Sequence, residues 1–376
     1  MPATEHSPGS DNAATVAPVG PIDGRGPRRP DATGSRRLAL RFLGGQATVI
    51  CVATAGLFII SKILQPESVS HSSLLGMLPF AAILAIAAIG QALVVQQGGI
   101  DLSVPGMMSL TVIILTHYPN GDPGKLGAAL ALSLVAILAA GLLSGFLVSW
   151  IGITPIVATL GMNALLYGGV IQISGGTPRT TTDALHNFAS GTVAGVPNSV
   201  IVAIVVTAIV GFMVKKTVSG RRFEAVGAGL LGARAAGLDA RRNQMTAYVG
   251  AALMYWIAGV LLGGVVSTPS AFQGDSYLLP SVAAVVLGGT SLLGGRGSVV
   301  ASAVAALFFS QLDQFVLTSG AKDATHNLVQ AAALGAGNAI YSVPWRRLVG
   351  SLRNVERAEA RDKPTKGKGV PDVEEG

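Results

Sequence analysis

The amino-acid sequence predicts an all-α polytopic membrane protein, and three observations predict it. Half of the 376 residues are hydrophobic and only 12% are charged, with a mean hydropathy of +0.57. A soluble chain carries about 25% charged residues. Apolar runs of roughly 20 residues, the length that crosses about 30 Å of hydrocarbon, recur along the chain. Glycine is abundant, at 49 residues, and aromatic residues are scarce, which suits membrane helices whose backbones approach closely.

The elements follow in order. Residues 1–45 are rich in Pro, Gly, Ser and Arg and hold no apolar core of the signal-peptide kind, so they read as a disordered basic cytoplasmic tail. Residues 46–345 form the membrane domain. About ten spans fall near 46–64, 73–95, 101–116, 126–149, 153–173, 198–214, 244–266, 280–293, 298–317 and 326–343, the eighth being short for a crossing. Cys51, the single cysteine, lies in the first run and reads as a small hydrophobe, so no disulfide framework exists. A charged cytoplasmic tail, 346–376, closes the chain.

Basic residues set the orientation, because Lys and Arg near span ends stay on the cytoplasmic side. With both termini inside, 22 of the 26 basic residues face the cytoplasm, and only Lys62, Lys125, Arg179 and Lys322 lie outside. The net charge of +7 is therefore a topology signal, and nucleic-acid binding is not needed to explain it. The polar outer loop 174–197 is long enough for a short helix. The inner loop 217–243 is basic yet carries a short apolar run.

Span two ends in QQGGIDLSV and span eight in SLLGGRGSVV, and aligning Gly98-Gly99 with Gly294-Gly295 gives an offset of 196 residues. This echo reads as a parallel internal repeat, of the kind that flanks a substrate path in transporters. The alternative is independent use of Gly for a tight turn. Gly297 belongs to the second of these turns. Asp101 stands where an intramembrane acid is a functional hypothesis by default. The topology instead places it at the start of span three, where it can cap N–H groups and meet the positive helix end. Ser103 is the other cap, and Pro105 suits the first turn. A direct part for Asp101 in solute passage or gating is the alternative.

The composition also excludes functions. The five His residues lie in tails or outer loops, and neither H-E-x-x-H, G-x-S-x-G nor a Cys cluster occurs, which speaks against catalysis and against a resident metal. Ion coupling needs intramembrane acids, and only Asp101 and Asp313 qualify. No G-x-x-x-x-G-K-[ST] loop is present, so this chain binds no ATP itself. A transport subunit energised by a partner fits these facts.

Four stretches then carry a resemblance: GGIDLSVPG at 98–106, TPIVATLGMNALLYGG at 154–169, GRRFEAVGAGLLGARAAGL at 220–238 and AVVLGGTSLLGGRGS at 284–298. They resemble the permease subunits of ribose, xylose and galactoside ABC importers, within the family that also holds branched-chain amino-acid permeases. The resemblance covers about 45–345. It implies a second permease copy, as homodimer or heterodimer, a separate ABC ATPase carrying ATP and Mg, and an extracytoplasmic solute-binding protein. It also implies that the Gly-Arg at 220–221 and the 225–238 stretch resemble the coupling helix that enters the ATPase. The residues carried over are Gly220, Arg221, Ala225, Val226, Gly227, Leu230, Leu231, Arg234 and Gly237. A solute path for a monosaccharide is implied; nucleosides, branched-chain amino acids or another small solute are the alternatives. A diverged, non-transporting scaffold or regulatory subunit is a reading of another class.

Departures from the family pattern fall in the coupling loop, near the outer pore and at Pro105. In the coupling loop, Gly229, Leu230, Leu231 and Gly232 stand where the family has A-V-G-x-N-[ED]-x-A-A, which bears on the ATPase contact. Tyr167 replaces an Arg, Leu278 a Glu and Pro280 an Asp, so three charges near the outer pore are gone; Pro105 replaces a Gly. The pathway candidates are the polar residues Gln96, Gln97, Asn163, Tyr167 and Asp101. Gln91, Gln172, Gln311, Gln314, Gln330 and Asn338 are further polar groups inside spans, for which an interhelical hydrogen bond is the plainer role. Trp150, Trp256 and Trp345 read as interface anchors.

Overall fold

A computed structural model describes residues 46–320 and Gly335. Both tails and the predicted span 326–343 fall outside the described residues, apart from Gly335. The helices are α1 (Gln46–Leu64), α2 (His71–Gln96), α3 (Val104–His117), α4 (Leu126–Phe146, continued by a π turn to Ile151), α5 (Pro155–Ser174), α6 (Asp183–Ser190), α7 (Asn198–Lys216), α8 (Val218–Ala228), α9 (Leu230–Ala235), α10 (Ala240–Val265), α11 (Leu278–Leu287) and α12 (Val299–Thr318). A two-residue hairpin, Thr192–Val193 with Val196–Pro197, follows α6. Among the described residues, seven helical segments are long and apolar enough to cross a membrane, and α3 and the Asp275–Leu287 segment are shorter apolar helices. The chain is an all-α polytopic membrane protein.

Helix α2 is apolar all round, and such a helix belongs in the centre of a bundle. It is buried from Ala81 to Gln96 with no exposed face and packs on α7, α10, α11 and α12. The α4–α10 and α3–α10 contacts are close because small residues meet there. A Cβ on Gly141 would overlap Ala252, and one on Gly259 would overlap Thr111. Exposed Val, Ile, Leu and Phe side chains cover the outward faces of α1, α5 and α7, as lipid contact requires. Cys51 lies exposed on α1.

Three expectations need correction. Span three begins at Val104 rather than 101, and at 1.5 Å per residue its 14 residues reach only about 21 Å. Span eight is helical over Leu278–Leu287 and not to 293. Gly288 and Gly289 end it, the latter with φ +79°, and an irregular segment runs to Ser298. The inner loop holds two helices rather than one, because Gly229 breaks it between α8 and α9. The outer loop carries α6 as its short helix.

Irregular backbone at membrane depth survives only inside protein, where each polar group finds a partner. Residues 97–103 meet that condition through side chains of neighbouring helices. The Leu102 N–H donates to Thr159 Oγ1 (2.9 Å), and the Gly106 N–H donates to Asn163 Oδ1 (2.8 Å), both on α5. The Gln91 amide on α2, with its oxygen toward the Asp101 N–H (3.2 Å), gives its nitrogen to the Asp101 carbonyl (3.1 Å) and to the Tyr255 hydroxyl (3.0 Å).

Candidate functional site

Two groups of residues stand apart. The first collects at the end that carries Arg221, Arg222, Arg234 and Arg296. Gln96 is the last residue of α2, and its carbonyl accepts the Gly295 N–H at 2.9 Å. The Gln97 amide donates to the Phe223 carbonyl of α8 at 2.9 Å. Gly227, one turn further along α8, lies so close to the Gln96 carbonyl and the Gly295 amide that no Cβ fits. Gly294 is packed in the same way on the Gly227 carbonyl and the Gly98 amide, and Gly295 on the Ala228 backbone. Positive φ at Gly98 (+80°), Gly294 (+89°) and Gly295 (+73°) lets both turns close. Gly297 leaves no room for a side chain between Gln96 and Thr290, and Gly99 none beside the Tyr248 hydroxyl. Three segments far apart in sequence thus meet backbone to backbone.

The two turns therefore touch each other as well as the 217–243 loop. That loop is braced in turn. The Thr217 hydroxyl caps α8 by accepting the Gly220 N–H (3.0 Å), and Lys215 pairs with Glu224 at 2.5 Å. Gly220 sits against the Val214 and Met213 carbonyls of α7. Gly237 takes φ +76° where α9 turns toward α10. Within the loop Val226 and Ala233 are buried in a small cluster with Ala240. Ala225, Leu230, Leu231, Arg221 and Arg234 remain exposed.

Asp101 is fully buried at the start of α3. Its Oδ1 accepts the Ser103 N–H (2.9 Å) and the Ser103 hydroxyl (2.5 Å), closing a turn two residues before the helix. Ser103 holds the N-cap place but its side chain caps no helical N–H. Asn163 does that from across the interface, taking the Gly106 N–H. Pro105 stands in the first turn, where it withholds no donor.

The second group forms beside the first turns of α3, where α5 meets the segment before α11. The Tyr167 hydroxyl donates to an Asp275 carboxylate oxygen and also engages Asn163. The Tyr167 ring meets Phe272 edge to face, with centroids 4.8 Å apart. Gly274 lies against the Pro105 carbonyl with no room for a Cβ, and its N–H donates to Ser109 (3.0 Å), which fixes this segment on α3. Tyr167 is half-buried, while Phe272 and Asp275 are exposed. The product is an open patch with two aromatic rings, a carboxylate and an amide.

The structure therefore separates the pathway candidates. Gln96 and Gln97 belong to the basic end, Asp101 and Asn163 to the start of α3, and Tyr167 to the aromatic patch. Sequence reasoning missed Asp275 and Phe272. The signal was present, since Asp275 lies three residues before Leu278, where the resemblance marks a lost Glu. Among the other polar groups, Trp256 on α10 donates to Ser133 on α4 at 2.9 Å, and Trp150 carries Arg241 over its ring at 5.4 Å. Gln330, Asn338 and Trp345 lie outside the described residues.

Residues 73–335 match the family described as branched-chain amino acid transport system / permease component. The chain is 33% identical over 254 residues to a probable ABC transporter permease protein of Sinorhizobium fredii, covering 67% of this chain and 75% of that one. It is 32% identical to the galactofuranose transporter permease protein of Escherichia coli strain K12, covering 74% and 82%. With the ribose import permease protein of the same strain it shares 28% over 80% of this chain and 95% of the relative. No solved structure matches the chain.

Proposed function

The chain belongs to the family of ABC-importer permease components, multi-pass proteins of the cell membrane, and from that membership we propose that it forms the path by which a monosaccharide enters the cell. The observation that carries the substrate class is the Tyr167–Phe272–Asp275 patch with Asn163 beside it. Sugars are held by hydroxyl hydrogen bonds, strongest to charged acceptors, and by stacking on aromatic faces. Relatives named for ribose and galactofuranose support the same class. Asp275 supplies one acid near a region where the resemblance marks three lost charges.

In this reading both termini lie inside and the basic end faces the cytoplasm, because Lys and Arg gather there. A separate ATPase, which carries ATP and Mg, meets the 217–243 loop. A solute-binding protein and a second permease copy complete the importer. The contact of the two Gly-Gly turns supports a parallel internal repeat. Asp101, buried at the start of α3, keeps a structural part and builds the path without contacting solute. Gln96 and Gln97 lie at the cytoplasmic joint, where they link the loop to the spans.

Uptake into proteoliposomes tests the substrate class. The permease is reconstituted with its ATPase and supplied with its binding protein, then offered radiolabelled ribose, fructose, galactose and leucine. Accumulation of one of the sugars with ATP inside is expected. Uptake of leucine alone would transfer the chain to the amino-acid branch.

A further inference from the structure

The turn between α11 and α12 presents two leucines to solvent. The Ser291 N–H donates to the Arg296 carbonyl at 2.8 Å, and the Gly294 N–H donates to the Ser291 carbonyl at 3.0 Å. The loop so closed carries Leu292 and Leu293 at its tip, 42% and 94% exposed. Lipid does not account for this exposure. The turn is irregular backbone with exposed Arg296 beside it, and such backbone does not face hydrocarbon. Across the joint, α9 presents Leu230 and Leu231, 39% and 84% exposed. The two tips are tied to one another, because Gly294 and Gly295 rest on the Gly227–Ala228 backbone, immediately before α9. Arg296 is exposed in the same turn and Arg234 is exposed on α9.

We propose that the Leu292–Leu293 turn is a second docking element for the ATPase subunit, which grips it together with α9. The occupant fitted by this surface has an apolar groove rimmed with carboxylates, since the exposed leucines share their turn with Arg296 and their helix with Arg234. The inference rests on the reading that the 217–243 loop meets the ATPase, and it enlarges that interface by a turn the family resemblance does not assign to it. A force applied at the ATPase would then reach α12 directly, because Ser298 caps that helix five residues after Leu293.

Site-directed labelling tests the proposal. Cys51 is replaced by Ser, and L293C or L231C is introduced in the full chain held in nanodiscs. A membrane-impermeant maleimide is applied with and without the ATPase subunit. The expected result is rapid labelling of L293C alone and labelling at least ten-fold slower with the ATPase present. Protection of L231C without protection of L293C overturns the inference and leaves the loop reading intact. Slow labelling of L293C before ATPase is added also overturns it, since lipid or a second copy then covers the turn. Protection of neither position removes both readings. As a second measure, Leu293→Asp should lower ATPase co-purification at least ten-fold with the unfolding midpoint unchanged. Undiminished recovery contradicts the proposal.

Discussion

Asp101 shows how one residue is governed by its surroundings. As a charge in an apolar chain it draws attention, yet its carboxylate closes a turn on Ser103 while Gln91 receives its backbone. Asn keeps an oxygen for the Ser103 N–H, so Asp101→Asn should retain fold and uptake. Asp101→Leu leaves buried donors unmet and should cost about 1–3 kcal/mol, read as a lowered unfolding midpoint in detergent. Gln91→Leu should cost a similar amount, because the Asp101 N–H and carbonyl lose their partner inside the bundle. An unfolding midpoint equal to the parent's would show that this bracket is dispensable. At the aromatic patch, Tyr167→Phe removes only the hydroxyl that Asp275 accepts. Uptake at low solute concentration should fall about ten-fold, in line with about 1.5 kcal/mol for a hydrogen bond to a charged group, while the unfolding midpoint holds. Equal loss at saturating solute would point to folding or gating instead.

Elements explain what the sequence could and could not show. Spans such as α1, α5 and α12 were legible because length and hydropathy alone define them. The short α3 and α11 were misjudged at their ends for a physical reason. Their neighbouring segments are apolar enough to pass as helix, and only tertiary partners, Thr159 and Asn163 beside α3 and the Gln96 carbonyl beside the segment after α11, let the backbone unwind there. The joint was half legible: Gly98-Gly99 and Gly294-Gly295 stood out as turns, but nothing in the sequence says that Gly227 lies between them. Gly227→Ala should therefore be costly, since its Cβ runs into the Gln96 carbonyl backbone; overpacking of this kind costs about 1–3 kcal/mol. Gly232→Ala, in open space on α9, should be neutral or stabilise by about 0.5–1 kcal/mol. Thermal unfolding of the two variants side by side checks the sign of each.

At the scale of the molecule, the bundle gathers its polar chemistry at the basic joint, around Asp101 and at the aromatic patch, within otherwise apolar packing. Central α2 reaches the joint through Gln96, and α3 leads from the joint past Asp101 toward the segment that positions Asp275. A continuous set of packed elements therefore connects the loop we assign to the ATPase with the patch we assign to the sugar. The resemblance in the sequence identified the family from GGIDLSV and VVLGGTSLLGGRGS, but the patch and the exposed Leu293 became visible only in three dimensions. Such a connection predicts that solute delivery at the patch alters ATP hydrolysis at the loop. The most direct measurement is ATPase activity of the reconstituted permease–ATPase complex when its sugar-loaded binding protein is added. Stimulation of several-fold that disappears when the permease is omitted is the predicted result. Hydrolysis that is indifferent to the loaded binding protein, in a complex that remains assembled, would contradict the account.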